Sequence, residues 1–166
     1  MEERPSLKLH LSMADKIIEY LGCFLLIAIW ILTLTSYAEL PDSIPIHYDF
    51  AGEADSFGGK GNIVTLPIVA TILFIGMTIL NKYPQLFNYP TVISRENAQG
   101  LYNNAARMIR YLKVIIVFIF GLISYQTIRI ANGYSSDLGA WFLPLTLALM
   151  SIPIVYFMIR SFRIEK

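Results

Sequence analysis

Residues 40–61, LPDSIPIHYDFAGEADSFGGKG, hold the side chains of this chain that are best suited to chemistry. His47 is one of only two histidines, and it lies among several carboxylates and before a glycine-rich run that contains Lys60. The carboxylates of the segment are Asp42, Asp49, Glu53 and Asp55. Histidines and carboxylates bind metal ions or exchange protons with a substrate. The spacing of these residues indicates which of the two chemistries is open to the segment.

A metal site is not the favoured interpretation. Zinc sites use about three protein ligands, most of them His or Cys, and the segment offers only His47 of those types. Calcium prefers oxygen ligands, so binding of a metal by Asp49, Glu53 and Asp55 stays open, although their spacing fits no EF-hand loop. We therefore expect no bound metal and no cofactor.

Catalysis and nucleotide binding are also disfavoured. Residues 58–61, GGKG, lack the first Gly and the Ser or Thr of a phosphate-binding loop. No complete set of nucleophile, base and oxyanion donors is recognisable around His47. We expect that the protein is not an enzyme. A membrane-embedded enzyme that uses His47, Asp55 and Lys60, with or without a metal, stays open as an alternative.

Four apolar runs surround the segment and must position it. The chain is 55% hydrophobic and 15% charged, and the runs cover about residues 17–37, 63–80, 114–131 and 140–159. About 20 apolar residues rising about 1.5 Å each span the hydrocarbon of a bilayer. Uniform runs are typical of helices, since barrel strands alternate. The sequence therefore predicts an all-α membrane protein, one four-helix transmembrane domain over residues 1–166, surrounded by the lipid bilayer and without a nucleic-acid partner.

The distribution of Lys and Arg predicts the orientation. Basic residues number three before the first run, one in the loop 38–62, five in the loop 81–113, none in the last loop and three after the fourth run. By the positive-inside rule, both termini and the loop 81–113 are cytoplasmic (N-in/C-in). The loop 38–62 then faces outward.

The loop 81–113 is predicted to form a cytoplasmic amphipathic helix that continues into the third crossing. Pro84 and Pro90 end any earlier helix, and Ser94 caps a new one that Glu96 supports from its first turn. Apolar residues then recur at helical spacing: Leu101, Ala105, Met108 and Leu112. The basic residues of this helix either bind a cytosolic partner or anionic lipid, or only enforce the orientation, and the second interpretation is favoured.

The outward loop is predicted to be a rigid cap on the helix ends. Pro41 and Pro45 restrict the backbone, and Gly52 permits a positive φ where the chain reverses. Apolar residues alternate with polar ones as in a strand with one apolar side. The apolar positions are Ile44, Ile46, Tyr48 and Phe50. We also expect Arg129, near the end of the third run, to form an ion pair with a loop carboxylate.

A family resemblance follows from two motifs. The spacing P-x-x-I-P-x-H-x4-G-x-x-D-x4-K, formed by Pro41, Ile44, Pro45, His47, Gly52, Asp55 and Lys60, resembles a bacterial membrane domain of unknown function. That domain also forms the N-terminal region of SdpI-type immunity proteins, which protect cells from a secreted peptide toxin. Six further residues resemble a second signature of the same family: Phe87, Asn88, Tyr89 and Pro90, followed by Glu96 and Asn97. The resemblance covers about residues 14–130 and implies a multi-pass protein of a bacterial cytoplasmic (inner) membrane.

Together these observations predict a binding function. The outward loop carries five acidic residues against Lys60, and such a negative field attracts cationic partners. We expect an immunity-like protein whose rigid acidic loop binds a secreted peptide, another membrane protein or another envelope component. Six residues of the loop motif then bind the partner or organise the loop: Pro41, Pro45, His47, Gly52, Asp55 and Lys60. A structural subunit of a membrane complex stays open as a further alternative.

Overall fold

The computed structural model describes residues 4–164 as four long helices and one β-hairpin. The helices are α1 (Met13–Ser36), α2 (Thr65–Leu80), α3 (Ala98–Ala131) and α4 (Phe142–Ile164). The hairpin, β1 (Ser43–Tyr48) and β2 (Ala54–Gly59), joins α1 to α2. Short 3-10 turns, Tyr37–Glu39, Lys60–Val64 and Pro84–Leu86, complete the connections. The predicted domain 1–166 also includes residues 1–3 and 165–166, which lie outside the described range.

The helical membrane architecture agrees with the sequence. Four helices of the described range are long and apolar enough to cross a membrane, when α2 is taken with the 3-10 turn before it. The hairpin is an addition to a fold predicted as all-α. Its two strands are antiparallel and follow from the strand-like pattern of the loop.

Three helices extend beyond the apolar runs that predicted them. α1 begins at Met13 because Ser12 and Asp15 form a capping box, with Ser12 Oγ accepting from the Asp15 amide at 3.2 Å. The predicted amphipathic helix and the third crossing form one continuous α3 of 34 residues, about 51 Å long at 1.5 Å per residue. Hydropathy marks only the part of a helix suited to hydrocarbon, whereas the backbone bonds continue into the polar ends.

α3 is the central helix of the bundle. It packs against α1, α2, α4 and β1, and α4 makes its main contacts with α3. Asn104 joins these two helices, since its side-chain amide donates to the Phe157 carbonyl at 2.8 Å and to Ser161 Oγ at 2.9 Å. Large apolar side chains are exposed along all four helices, as expected where the surroundings are lipid.

α1 and α2 approach each other closely at Gly22. A Cβ at this position would lie 2.8 Å from the Phe74 ring, so a larger residue would require the ring or the helices to shift. Farther along the same pair of helices, Trp30 Nε1 donates to Thr71 Oγ1 at 3.0 Å. A small residue and a hydrogen bond thus hold two helices that have no hydrophobic driving force to associate in lipid.

The hairpin rests on the helix ends through Ile44, which is 1% exposed and packs with Leu40, Ile63 and Ile128. The predicted apolar side of β1 is also correct for Tyr48, which is partly buried and contacts α3. It is wrong for Ile46 and Phe50, which are 48% and 92% exposed. For Ile46 the cause is the irregular pairing between Pro45 and His47, because a bulge changes which side of the strand a residue occupies; Phe50 lies in the turn beyond β1.

Candidate functional site

The bulged hairpin brings His47 and Asp55 together. His47 Nδ1 lies 2.6 Å from Asp55 Oδ1, with side chains 68% and 45% exposed. An ionised carboxylate only accepts hydrogen bonds, so Nδ1 carries the hydrogen and Nε2 is left for a second partner. Neither side chain is fixed by the helices, and the pair is therefore a feature of the hairpin itself.

Lys60 forms a different pair. Its Nζ lies 3.4 Å from Asp42 Oδ1 and 5.9 Å from the centroid of the Tyr37 ring. Its backbone N–H donates to the Asp42 carbonyl at 3.0 Å. The three residues of the enzyme alternative, His47, Asp55 and Lys60, thus belong to two separate ion pairs, and Lys60 closes the base of the hairpin.

Gly52 organises the hairpin turn. Its φ of 87° lies in the left-handed region, and a Cβ would be 3.2 Å from Leu138 Cβ. Its carbonyl accepts from the Leu138 N–H at 2.9 Å, which fixes the α3–α4 loop to the hairpin. Asp49 closes the same turn, since its Oδ1 accepts from the Ala51 and Glu53 amides at 2.9 Å each. Pro41 is exposed.

A groove of about 780 Å³ lies between the hairpin and the adjacent ends of the helices; we name it the hairpin groove. Its walls are largely apolar and come from residues 44–52, 62–63, 65–66, 138–140 and 142–143, with Asp55, Ile123 and Thr127. His47, Asp49 and Asp55 are its histidine and carboxylate side chains. Apolar walls with a few convergent polar groups are typical of ligand sites.

Tyr48 joins the groove to α3. Its hydroxyl lies 2.8 Å from Thr127 Oγ1. Burial raises the pKa of the Tyr48 phenol above its ordinary value, an effect that the hydrogen bond to Thr127 opposes. The hydroxyl is therefore neutral near pH 7 and contributes a hydrogen bond, not a charge, to the groove.

The hairpin end of the bundle carries an excess of acidic side chains. Asp42, Asp49, Glu53 and Asp55 of the hairpin region are exposed. The predicted ion pair of Arg129 with a loop carboxylate is not formed. Arg129 donates to the Tyr134 carbonyl at 3.2 Å and lies 5.8 Å from the Tyr125 ring centroid. It occupies the last turn of α3, where carbonyls without helical partners attract a cation.

Residues 4–164 contain no group of three or more His, Cys, Asp or Glu side chains placed to hold a metal ion. The sequence left metal binding by Asp49, Glu53 and Asp55 open. In the structure, Asp49 accepts hydrogen bonds from the turn amides and Asp55 accepts one from His47. The carboxylates thus act in hydrogen bonds within the hairpin.

Residues 24–71 match the family model of a domain of unknown function, DUF1648. The match extends from within α1 through the hairpin into α2, so it contains both ion pairs of the hairpin. A protein of Archaeoglobus fulgidus, described as an uncharacterized protein, is 37% identical over 70 residues, and the alignment covers 37% of this chain. This chain spans 38% of the length of that relative. No solved structure matches the chain significantly.

These comparisons agree with the resemblance to a domain of unknown function. The link to SdpI-type immunity proteins stays a prediction. The matched residues extend over most of α1, the hairpin and the start of α2, and the hairpin and the start of α2 supply most of the residues that line the hairpin groove.

The second signature organises the segment between α2 and α3, away from the groove. Tyr89 donates to the Pro84 carbonyl at 2.8 Å, and its ring lies 5.6 Å from that of Tyr102. Arg4 lies over the Tyr89 ring. Asn97 accepts from the Ser94 amide at 2.8 Å. Of the remaining signature residues, Phe87 is partly buried, and Asn88, Pro90 and Glu96 are exposed.

The sequence interpretation missed a cluster at the end of the bundle far from the hairpin. Asp15 and Glu19 of α1 face Arg107, Arg110 and Lys113 of α3; we name these five residues the ionic ladder. Arg107 Nε lies 2.8 Å from Asp15 Oδ1, Arg110 Nε 3.2 Å from Glu19 Oε1, and Lys113 Nζ 2.6 Å from Glu19 Oε2. The pairs advance in the same direction along both helices, so α1 and α3 are parallel.

A signal for the ladder is present in the sequence. The acids are four residues apart and the bases three residues apart, which places each set on one helix face. What the sequence lacks is the information that α1 and α3, separated by a hairpin and another helix, are neighbours.

Proposed function

We propose that the chain is a membrane protein that binds a cationic amphipathic peptide in the hairpin groove. The observation that carries the proposal is the combination of an apolar groove of about 780 Å³ with exposed carboxylates around it. An apolar side chain of the peptide enters the groove, and basic side chains contact Asp49 and Asp55. His47 offers Nε2 to the peptide backbone.

The position of the groove supports a partner that approaches along a membrane. The groove lies where three apolar helices end and the hairpin begins. Amphipathic cationic peptides lie at that depth, with the apolar face in the acyl boundary and the charges in the headgroups. The predicted outward orientation of the hairpin and the resemblance to immunity proteins favour a secreted peptide over a cytosolic one.

The binding test uses full-length protein in nanodiscs and a labelled cationic amphipathic peptide, with fluorescence anisotropy as the readout. The variant Asp49→Asn/Asp55→Asn keeps the oxygen that accepts the turn and His47 hydrogen bonds and removes both charges. We expect a roughly 3- to 10-fold weaker Kd, because exposed charge pairs contribute modestly. Raising salt from about 0.1 M to about 1 M shortens the Debye length from about 10 Å to about 3 Å and should weaken wild-type binding more than variant binding.

A matched control is available in the same hairpin region. Asp42→Asn makes the same chemical change at a carboxylate that is paired with Lys60 and does not line the groove. It should leave the Kd within about twofold of wild type, since a screened, exposed charge adds little. Equal affinity of wild type and the double variant would refute the proposal, and so would an equal loss in Asp42→Asn.

The outward orientation is tested in intact cells. Cys23 is replaced by Ser, and a single cysteine is placed at Ser56 of the hairpin or at Asn88 of the segment between α2 and α3, both of which are exposed. An impermeant thiol reagent should label the first and not the second. The reverse pattern would place the groove in the cytoplasm and exclude a secreted partner.

A second candidate function is supported by the 2.6 Å contact between His47 and Asp55. A carboxylate that orients a histidine is a recurrent arrangement for general-base catalysis, and the pair borders the groove. An enzyme would alter the bound peptide, and His47→Gln would abolish the change while binding persisted. Recovery of chemically unchanged peptide after long incubation with wild type would leave binding as the function.

A further inference from the structure

We propose that Arg160 and Arg163, at the end of α4 far from the hairpin, bind the phosphate of an anionic phospholipid. This site is separate from the hairpin groove and does not depend on what the groove binds. It rests on the shape of the α4 surface, on its charge and on the character of α4 as a membrane-crossing helix.

The surface is a shallow depression of about 520 Å³ lined by Tyr156, Ile159, Arg160, Arg163 and Ile164; we name it the α4 groove. Arg160 and Arg163 are three residues apart, so their side chains emerge from the same face of the helix. Ile159 and Tyr156 continue this surface toward the middle of α4, and both are exposed. The two arginines thus adjoin an apolar surface of α4, formed by Ile159 and Tyr156, that runs in the direction of an acyl chain.

The charge of the α4 groove is uncompensated within the described range. The ion pairs found among residues 4–164 include Arg107 and Arg110, which share Asp15 and Glu19, and include neither Arg160 nor Arg163. Guanidinium groups match phosphate oxygens in geometry and charge. Two of them on one face therefore favour an anionic headgroup over a zwitterionic one.

The occupant is a lipid because of where the groove lies. α4 has the length and hydropathy of a membrane-crossing helix, and its buried residues are confined to Phe157 and Ser161 on the side facing α3. The rest of its surface is open to acyl chains. Arginines in the last two turns of such a helix extend to headgroup depth. Free phosphate would use the two guanidiniums but not the apolar wall.

The test measures lipid retention by the full-length protein with native mass spectrometry. The protein is purified in detergent with equimolar phosphatidylglycerol and phosphatidylcholine of identical acyl chains. Wild type should retain the anionic lipid in preference to the zwitterionic one. Arg160→Gln/Arg163→Gln should lower the affinity for phosphatidylglycerol by on the order of 30-fold, since each basic residue near the headgroups contributes about fivefold. Arg160→Lys/Arg163→Lys should keep a preference, because the charge remains.

The control is Arg95→Gln, which removes an exposed basic residue from the segment between α2 and α3 and lies outside the α4 groove. It should retain wild-type lipid preference. No preference in wild type, or an equal loss in the control and the double variant, would overturn the site in favour of a diffuse positive field. Displacement of the lipid by inorganic phosphate at matched concentration would show that the apolar wall is not used and would overturn the lipid assignment.

Discussion

Replacing the buried Lys113 with methionine should strongly destabilise the protein. The Lys113 side chain is 0% exposed and connects three helices. Its Nζ donates to Glu19 of α1 at 2.6 Å and to Thr78 of α2 at 2.8 Å, and it lies 4.4 Å from the centroid of the Phe74 ring. Methionine preserves most of the volume and removes the charge and all the donors.

The expected size follows from what the substitution leaves behind. Removing one partner of a buried ion pair costs about 3–5 kcal/mol, because the remaining charge is buried without compensation. The lower end, about 3 kcal/mol, applies here because Glu19 is 25% exposed and keeps Arg110 at 3.2 Å. For a chain of this length that corresponds to a fall in Tm of roughly 6–12 °C.

The assay is thermal unfolding in detergent, followed by far-UV circular dichroism, for wild type and three variants. Lys113→Met/Glu19→Gln should lose at least as much stability as Lys113→Met, since Arg110, whose side chain is 7% exposed, then keeps Asp15 at 3.7 Å in place of Glu19 at 3.2 Å. Lys60→Met is the matched control, because the Lys60 pair involves a fully exposed Asp42 and should change the Tm little. A Lys113→Met transition equal to wild type, or a double variant more stable than Lys113→Met, would refute the reasoning.

Three further substitutions test the packing of the helices and the hairpin by the same unfolding assay. Gly22→Ala should cost about 1–3 kcal/mol, since its methyl group overlaps an aromatic ring of α2. Gly76→Ala is the control, because the added carbon meets nothing within 4 Å, and it should be neutral or stabilising by up to about 1 kcal/mol. Equal effects of the two substitutions would contradict the close approach of α1 and α2. Gly52→Ala should cost about 1–2 kcal/mol because of its positive φ, and faster amide exchange in the hairpin would locate the effect. Tyr48→Phe should cost about 1 kcal/mol through the lost bond to α3, and an unchanged Tm would show that this bond does not hold the hairpin.

The local features of this protein could be predicted from neighbouring residues. Each apolar run is a property of consecutive residues, and lipid forces such runs into helices. The start of α1 depends only on Ser12 and Asp15, whose reciprocal bonds span three residues. The reversal at Gly52 likewise needed only the conformational freedom of glycine.

The candidate site was predicted only in part. The enzyme alternative grouped His47 and Asp55 with Lys60, whereas in the structure His47 pairs with Asp55 and Lys60 pairs with Asp42. Two bulges decide this outcome, because a shift of one residue in register moves side chains to the opposite side of a strand. Bulges depend on how β1 fits against β2 and the helix ends, which no pattern within β1 encodes.

By itself, the sequence determined the number of helices that are apolar enough to cross a membrane, the position of the hairpin segment and its acidic character, because these follow from local hydropathy and charge. Only the tertiary structure decided that α1 packs against α3, that Leu138 docks on Gly52 and that a groove opens beneath the hairpin. The physical reason is that these contacts join residues far apart in the chain. Their choice depends on packing shape and on pairing of buried charges across helices, which local periodicity does not record.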